Sequence, residues 1–194
     1  MSLISWKKKF LFWQPKTDWF KKISKYKFGN YFLVFINYII WVFLFFVSYF
    51  LIKHKTNIFW QLFTSTLIGE IIEKFLKIQP LWRRPLHLGN NTLPNGLLKS
   101  WYKKGSFPSG HAMKATFFLL FVLQYSGVVN PYVFTVITVP LVLIRIFLGL
   151  HYPIDVLGGI IFGLLIWVPV HFLIFPDFLI NLVAVIFNFV FFIK

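Results

Sequence analysis

Three short polar clusters interrupt an otherwise apolar sequence. They are Lys77-x6-Arg84-Pro85, Pro108-Ser109-Gly110-His111 and Arg145-x5-His151-x3-Asp155. Together they supply three cations, a hydroxyl group, two imidazoles and a carboxylate. A phosphate ester is a dianion, and its transfer requires neutralisation of charge and positioning more than covalent chemistry by the protein. The clusters therefore predict a site for phosphoryl transfer.

The predicted phosphate-binding residues are three cations and the start of a helix. Lys77, Arg84 and Arg145 neutralise charge, and the two arginines can bind oxygens in bidentate fashion. Ser109 adds a hydroxyl, and Gly110 adds a backbone N–H at a helix N-terminus, where anions bind favourably. Glycine also removes a Cβ that would crowd a phosphate.

The composition predicts an all-α integral membrane protein. Hydrophobic residues make up 58% of the 194 positions, whereas charged residues make up 13%. Because a spanning helix needs roughly 20 apolar residues, this content suffices for about six spans. The mean hydropathy of +0.74 argues against a soluble domain and excludes a disordered chain. With no cysteine, disulfides and thiolate metal sites are excluded.

The apolar stretches predict a bundle of six transmembrane helices within residues 31–194. The expected spans are residues 31–52, 58–78, 109–125, 132–150, 153–175 and 178–193. Ser109 is a plausible N-cap, and Pro153 is well placed to open the fifth span. The second span also carries two i,i+4 pairs, Glu70–Lys74 and Glu73–Lys77. Counting crossings places all three polar clusters on one membrane face.

Residues 1–30 form a separate segment that is both basic and aromatic. It contains eight lysines interleaved with tryptophan, phenylalanine and tyrosine, within a chain of net charge +15. Such a segment beside apolar spans predicts an interfacial helix that contacts anionic lipid headgroups. A membrane-embedded chain makes nucleic acid an improbable partner for this charge.

The three clusters resemble the signature of the type-2 phosphatidic acid phosphatase superfamily, which also includes glucose-6-phosphatase and the vanadium haloperoxidases. Ten fixed positions occur in the right order and spacing within residues 77–155. One departure is Ile144, where the family usually has Ser or Thr. The resemblance implies that His151 attacks phosphorus and that Asp155 orients its ring. It also implies that His111 protonates the leaving oxygen and later activates water.

The resemblance predicts a lipid phosphatase. The chain has only five acidic residues and no carboxylate cluster suited to magnesium, and three fixed cations can serve the role of a metal ion, so we expect neither a metal ion nor another cofactor. The expected substrate is a lipid phosphate or pyrophosphate: polyprenyl diphosphate, phosphatidylglycerol phosphate, phosphatidic acid or a lipid A phosphate. The alternatives are haloperoxidase chemistry and a membrane protein that binds or transports anionic lipids without turnover. Oligomeric state does not follow from the motifs.

Three further points remain open in the sequence. Lys114, one helical turn after His111, could contact a headgroup or a second phosphate, or could extend towards the membrane surface. His171 is expected to be a packed or hydrogen-bonded residue. The side of the membrane on which the site lies is the third point. Eight lysines precede the first span and two lie in residues 53–57, so the tendency of positive charge to stay in the cytoplasm favours a cytoplasmic site. The resemblance favours the extracytoplasmic face, which is the prediction made here.

Overall fold

The regular secondary structure of the described residues consists of helices, with no strands. The computed structural model describes residues 10–15, 19–78, 81–85, 105–125, 127 and 130–190, and this part contains no β-strand. Its helices are α1 (Trp19–Ser24), α2 (Lys27–His54), α3 (Thr56–Ile78), α4 (Gly110–Gln124), α5 (Pro131–Phe147), α6 (Pro153–His171) and α7 (Asp177–Val190). Each of the helices α2 to α7 lies where a span was predicted, so the prediction of an all-α chain is confirmed.

Two helices, α2 and α6, are long and apolar enough to cross a membrane. They contain 28 and 19 residues, with hydropathies of 2.2 and 2.0, while α5 and α7 are shorter apolar helices. Large apolar side chains are widely exposed, for example Phe75 at 73% and Phe189 at 81%. Extensive apolar surface of this kind marks a lipid or protein interface. The chain is therefore associated with a membrane, whereas the crossing of all six helices stays a prediction.

Helix α4 lies at the centre of the bundle and packs closely on α6. Its residues Phe117 and Phe121 belong to the main hydrophobic core. A Cβ at Gly159 would lie 2.5 Å from the Ser109 carbonyl oxygen, and one at Gly163 would lie 2.8 Å from the Met113 carbonyl oxygen. These two glycines therefore let the helix backbones approach each other, as small residues do at contacts between membrane helices. The close approach holds the N-termini of α4 and α6 side by side.

The N-terminal segment packs partly against the protein instead of only facing headgroups. Phe20 is 2% exposed and belongs to a small core with Leu148 and Leu150. The Phe12 ring lies in edge-to-face contact with Tyr152, with centroids 5.2 Å apart. Trp19, by contrast, is half exposed. Helix α2 also begins at Lys27, four residues before the expected boundary, so the segment and the first helix are continuous in structure.

Candidate active site

The three polar clusters meet at one cavity. It has a volume of about 340 Å³ and opens beside the C-terminus of α3 and the N-termini of α4 and α6. Its described lining residues are Asn37, Tyr38, Trp41, Glu70, Glu73, Lys74, Lys77, Arg84, His111, Lys114, Arg145 and His151. The structure therefore brings together all three predicted cations and both predicted histidines, whereas their location on one membrane face stays a prediction.

His151 lies in the short loop between α5 and α6, and backbone hydrogen bonds fix that loop. Gly149 has a φ of 71°, in the left-handed region that glycine adopts without strain, and it ends α5. The Leu150 and His151 N–H groups then donate to the Arg145 carbonyl at 2.9 and 3.3 Å. Arg84 Nη1 donates to the Leu150 carbonyl at 2.9 Å. The chain thus holds His151 between the two arginines.

Asp155 lies behind His151 and is completely buried. Its Oδ2 is 3.5 Å from His151 Nδ1, which is longer than a good hydrogen bond. The same oxygen accepts the Tyr152 N–H at 2.7 Å, and Oδ1 accepts Trp82 Nε1–H at 2.9 Å. His151 Nδ1 has no hydrogen-bond partner among the described residues. The carboxylate is therefore held rigidly on the Nδ1 side of the ring, leaving Nε2 as the nitrogen available for chemistry.

His151 is electrostatically suited to remain neutral. Burial lowers the pKa of its imidazole well below the usual value, and the positive charges of Arg84, Lys77 and Arg145 lower it further. The negative charge of Glu73 acts in the opposite direction but is outweighed. Because only the neutral ring has a free lone pair, this environment favours a nucleophilic imidazole over an imidazolium ion.

His111 contacts Arg145 and Asn37 of α2. Arg145 Nη2 lies 2.7 Å from His111 Nε2, and the Asn37 carbonyl oxygen lies 3.0 Å from the same nitrogen. Arg145 also donates to the Asn37 side-chain oxygen at 3.1 Å and to the Ile36 carbonyl at 2.9 Å. Helix α2 therefore helps to place both the guanidinium and the second histidine at the cavity.

A series of alternating charges also lines the cavity. Glu73 binds Lys77 through Oε1 and Lys114 through Oε2, the latter at 3.2 Å. Lys114 also contacts Glu70. The Glu73–Lys77 pair was predicted, but the predicted Glu70–Lys74 pair is wrong, because Glu70 instead pairs with a lysine on the neighbouring helix. The contact between α3 and α4 outweighs the weak i,i+4 preference within α3.

Ser109 and Gly110 have structural partners. The Ser109 hydroxyl oxygen accepts the Ala112 N–H at 3.4 Å, which confirms it as the N-cap of α4, and its own N–H donates to the Asp155 carbonyl at 2.9 Å. A Cβ at Gly110 would lie 1.8 Å from a Glu73 carboxylate oxygen, so glycine there accommodates Glu73. Neither residue is among the described cavity-lining residues. Their binding of phosphate stays a prediction.

Comparison with known proteins identifies the family. The model of the PAP2 superfamily matches residues 58–178, which is more than half of the chain and includes all ten motif positions. The chain belongs to the PAP2 superfamily. Phosphatidylglycerophosphatase B of Bacillus subtilis (strain 168) is 32% identical, over 42% of this chain and 52% of the relative. The chain thus spans about half the length of that curated relative. No solved structure matches the chain significantly.

Two residues outside the PAP2 signature complete the site and were not found from the sequence. Asn37 contacts both Arg145 and His111, and Trp82 binds the carboxylate of Asp155. Asn37 carried a usable signal, because an amide within an otherwise apolar span generally faces protein. Trp82 carried none, since tryptophan is common at membrane interfaces. The unusual Ile144 packs against the core formed by Phe20 and its neighbours.

Proposed function

We propose that this PAP2 protein is a membrane-embedded lipid phosphatase that acts through a phosphohistidine intermediate. The observation that supports it most strongly is the arrangement of His151, an imidazole kept neutral by burial, in one cavity with three cations. A neutral nucleophile surrounded by fixed positive charge is suited to attack a phosphate dianion.

The proposed reaction has two displacement steps. In the first, Nε2 of His151 forms a bond to phosphorus while the bond from phosphorus to the lipid oxygen breaks. His111 gives its proton to that leaving oxygen. In the second, His111 removes a proton from water, whose oxygen attacks phosphorus and displaces His151. Inorganic phosphate leaves, and both histidines return to their starting states.

Lys77, Arg84 and Arg145 are proposed to stabilise the transferring phosphoryl group without a metal ion. Arg84 and Arg145 are each held by backbone carbonyls, so their guanidinium groups are preorganised at the cavity. We expect activity to survive excess EDTA and to be inhibited by vanadate, which can mimic five-coordinate phosphorus. Strict dependence on added magnesium would contradict this proposal.

The proposed substrate is a lipid that carries a terminal phosphate. Widely exposed apolar helices would keep the hydrocarbon chain in the bilayer while the phosphate reaches the cations. The relative's name, phosphatidylglycerophosphatase B, supports a glycerophospholipid phosphate as one candidate. Polyprenyl diphosphate, phosphatidic acid and a lipid A phosphate are the others. Binding or transport of an anionic lipid without turnover is the alternative from another class of function.

The test is phosphate release by the purified protein from these four lipids, together with rapid quenching of a ³²P-labelled substrate. An acid-labile, base-stable label on the wild-type protein that is absent from His151→Ala would support the phosphohistidine. Tight binding of a lipid phosphate with no release of phosphate would instead favour the non-catalytic alternative.

A six-span topology with the site on the extracytoplasmic face is also proposed. Leu81, which is 64% exposed, lies between Lys77 and Arg84 and reports on the cavity side. Lys55 lies in the α2–α3 turn and reports on the other side. Because the chain has no cysteine, Leu81→Cys should react with an impermeant thiol reagent in intact cells, whereas Lys55→Cys should require permeabilisation. The opposite pattern would place the site in the cytoplasm.

A further inference from the structure

Lys114 is a buried cation of the cavity that the proposed two-step reaction does not use. It lies one turn after His111 on α4, and its side chain is 7% exposed. Its ammonium group contacts the carboxylates of Glu70 and Glu73 and lies 5.2 Å from the centroid of the Trp41 ring. These contacts fix a fourth cation beside the three that are proposed to bind the transferred phosphoryl group.

The position of Lys114 relative to Lys77 is set by a single carboxylate. One oxygen of Glu73 binds Lys77 and the other binds Lys114. The two ammonium groups are therefore joined through one carboxylate group, each on its own oxygen. Gly110 provides the space that Glu73 needs for this arrangement.

Lys114 adds to the positive charge that lines the cavity. Four buried cations, Lys77, Arg84, Lys114 and Arg145, line it together with the largely buried carboxylate of Glu73, and the buried carboxylate of Asp155 lies behind His151. A cavity of about 340 Å³ is within the size range of sites for ligands larger than a bare phosphate. Lys114 therefore lies where it can contact a second anionic group of the substrate.

We propose that Lys114 is a second substrate-binding cation, which binds the non-transferred phosphate of a lipid that carries two phosphate groups. The proposal rests on the phosphatase function proposed above and narrows its substrate class. The second phosphate is either adjacent to the first, as in a lipid diphosphate, or separated from it, as in phosphatidylglycerol phosphate. Glu73 is a positioning residue that binds Lys114 through one oxygen and Lys77 through the other.

The test compares two matched pairs of substrates in Lys114→Met and in the wild type. One pair is a polyprenyl diphosphate and the corresponding monophosphate, and the other is phosphatidylglycerol phosphate and phosphatidic acid. Since Met keeps the length of the stem but loses the charge, kcat/KM should fall by about 10- to 100-fold more for the two-phosphate member of a pair. Lys74→Gln, which removes an exposed charge from the same wall, should leave each ratio within about threefold of wild type.

A folding defect is separated from loss of the subsite by the double variant Lys114→Met/Glu70→Gln. It removes the cation together with one of its carboxylate partners. It should show the same change in the ratio of kcat/KM between two-phosphate and one-phosphate substrates as Lys114→Met does. A selective loss confined to the diphosphate pair would identify a lipid diphosphate, and one confined to the glycerophospholipid pair would identify phosphatidylglycerol phosphate. An equal loss for one-phosphate and two-phosphate substrates, or no loss, would overturn the role of Lys114. No release from any substrate by the wild type would overturn the proposed function itself, and this subsite with it.

Discussion

Polar side chains are buried at both ends of the helical bundle, but their partners differ. At the end opposite the cavity, Gln61 Nε2 donates to the carbonyl oxygens of His171 and Leu173, both at 2.9 Å. Trp60 Nε1 donates to the Leu179 carbonyl at 3.2 Å. These side chains satisfy the backbone where α6 ends and α7 begins. At the cavity end, Lys77, Lys114 and His151 instead face open space shared with other charged groups.

This difference shows how two kinds of buried polar residue can be told apart. A carbonyl left unpaired at a helix end is costly in an apolar environment, so a polar side chain that binds it stabilises the fold. A cluster of cations costs desolvation free energy, which no backbone partner repays fully. Such a cluster is retained where an anion completes it. The predictions below test this distinction from the largest expected effect to the smallest.

Substitution of a histidine at each end should show the largest difference in phosphatase activity. His151→Ala should lower phosphatase kcat by at least about 10⁴-fold, because it removes the proposed nucleophile. His171→Ala should retain more than half of the activity, since His171 stacks on Trp167 with centroids 4.8 Å apart and lies away from the cavity. Both are measured as phosphate release by purified protein. Near-normal activity of His151→Ala would contradict the assignment of the nucleophile.

Asp155→Asn should cause the next largest loss, of about 10³–10⁴-fold in kcat. The carboxylate accepts the Trp82 N–H on Oδ1 and the Tyr152 N–H on Oδ2, whereas an amide has one acceptor oxygen and an NH₂ group that only donates, so one of these hydrogen bonds would be lost. The ring of His151 would then lose its orienting charge. Steady-state kinetics with unchanged helical circular dichroism check the prediction, and a loss below about tenfold would remove Asp155 from the mechanism.

Trp82→Phe should have a smaller effect, a fall of about tenfold in kcat with little change in KM. Phenylalanine keeps the ring packing against Phe12 and Phe107 but removes the N–H that binds Asp155. Trp60→Phe is the matched control at the other end, where the lost N–H bound only a carbonyl. It should lower the thermal midpoint in detergent without a selective loss of kcat. An equal fall in kcat in Trp82→Phe and Trp60→Phe would show that the two ends of the bundle do not differ in this way.

The contrast between Trp82 and the motif residues also shows how far sequence alone leads. The helices, the Ser109 cap and the Glu73–Lys77 pair depend on local spacing, and each was predicted. That the clusters come together was predicted from the number of spans between them. Asn37, Trp82 and the Glu70–Lys114 pair depend on the register between helices that are distant in sequence. Local patterns contain no information on that register, so these contacts required the structure.

The positive charge at the cavity should also affect how phosphatase activity depends on pH. As the proposed nucleophile, His151 must be neutral, so we expect activity above its pKa and a loss of activity as the pH falls through it. Because burial and Arg84 lower that pKa, the acid limb of kcat/KM should lie well below pH 6.5 in the wild type. Arg84→Gln should raise the midpoint of the limb by about one unit, in addition to weakening binding. The exposed neighbour Arg83 provides the control, because Arg83→Gln should leave the midpoint where it is.

The smallest effect on catalysis is expected at the opposite end, for Gln61→Leu. This change leaves two carbonyls without a donor, which should lower the free energy of unfolding by about 1–3 kcal/mol. The loss concerns the junction of α6 and α7, whereas the proposed catalytic groups lie at the other end of α3 and α6. We therefore expect a lower thermal midpoint in detergent but a kcat within about twofold of wild type, since stability effects distant from a site leave its geometry intact. A tenfold fall in kcat with an unchanged midpoint would show that the far end participates in catalysis. Backbone-bonded and cavity-lining polar residues would then no longer form two separate classes in this fold.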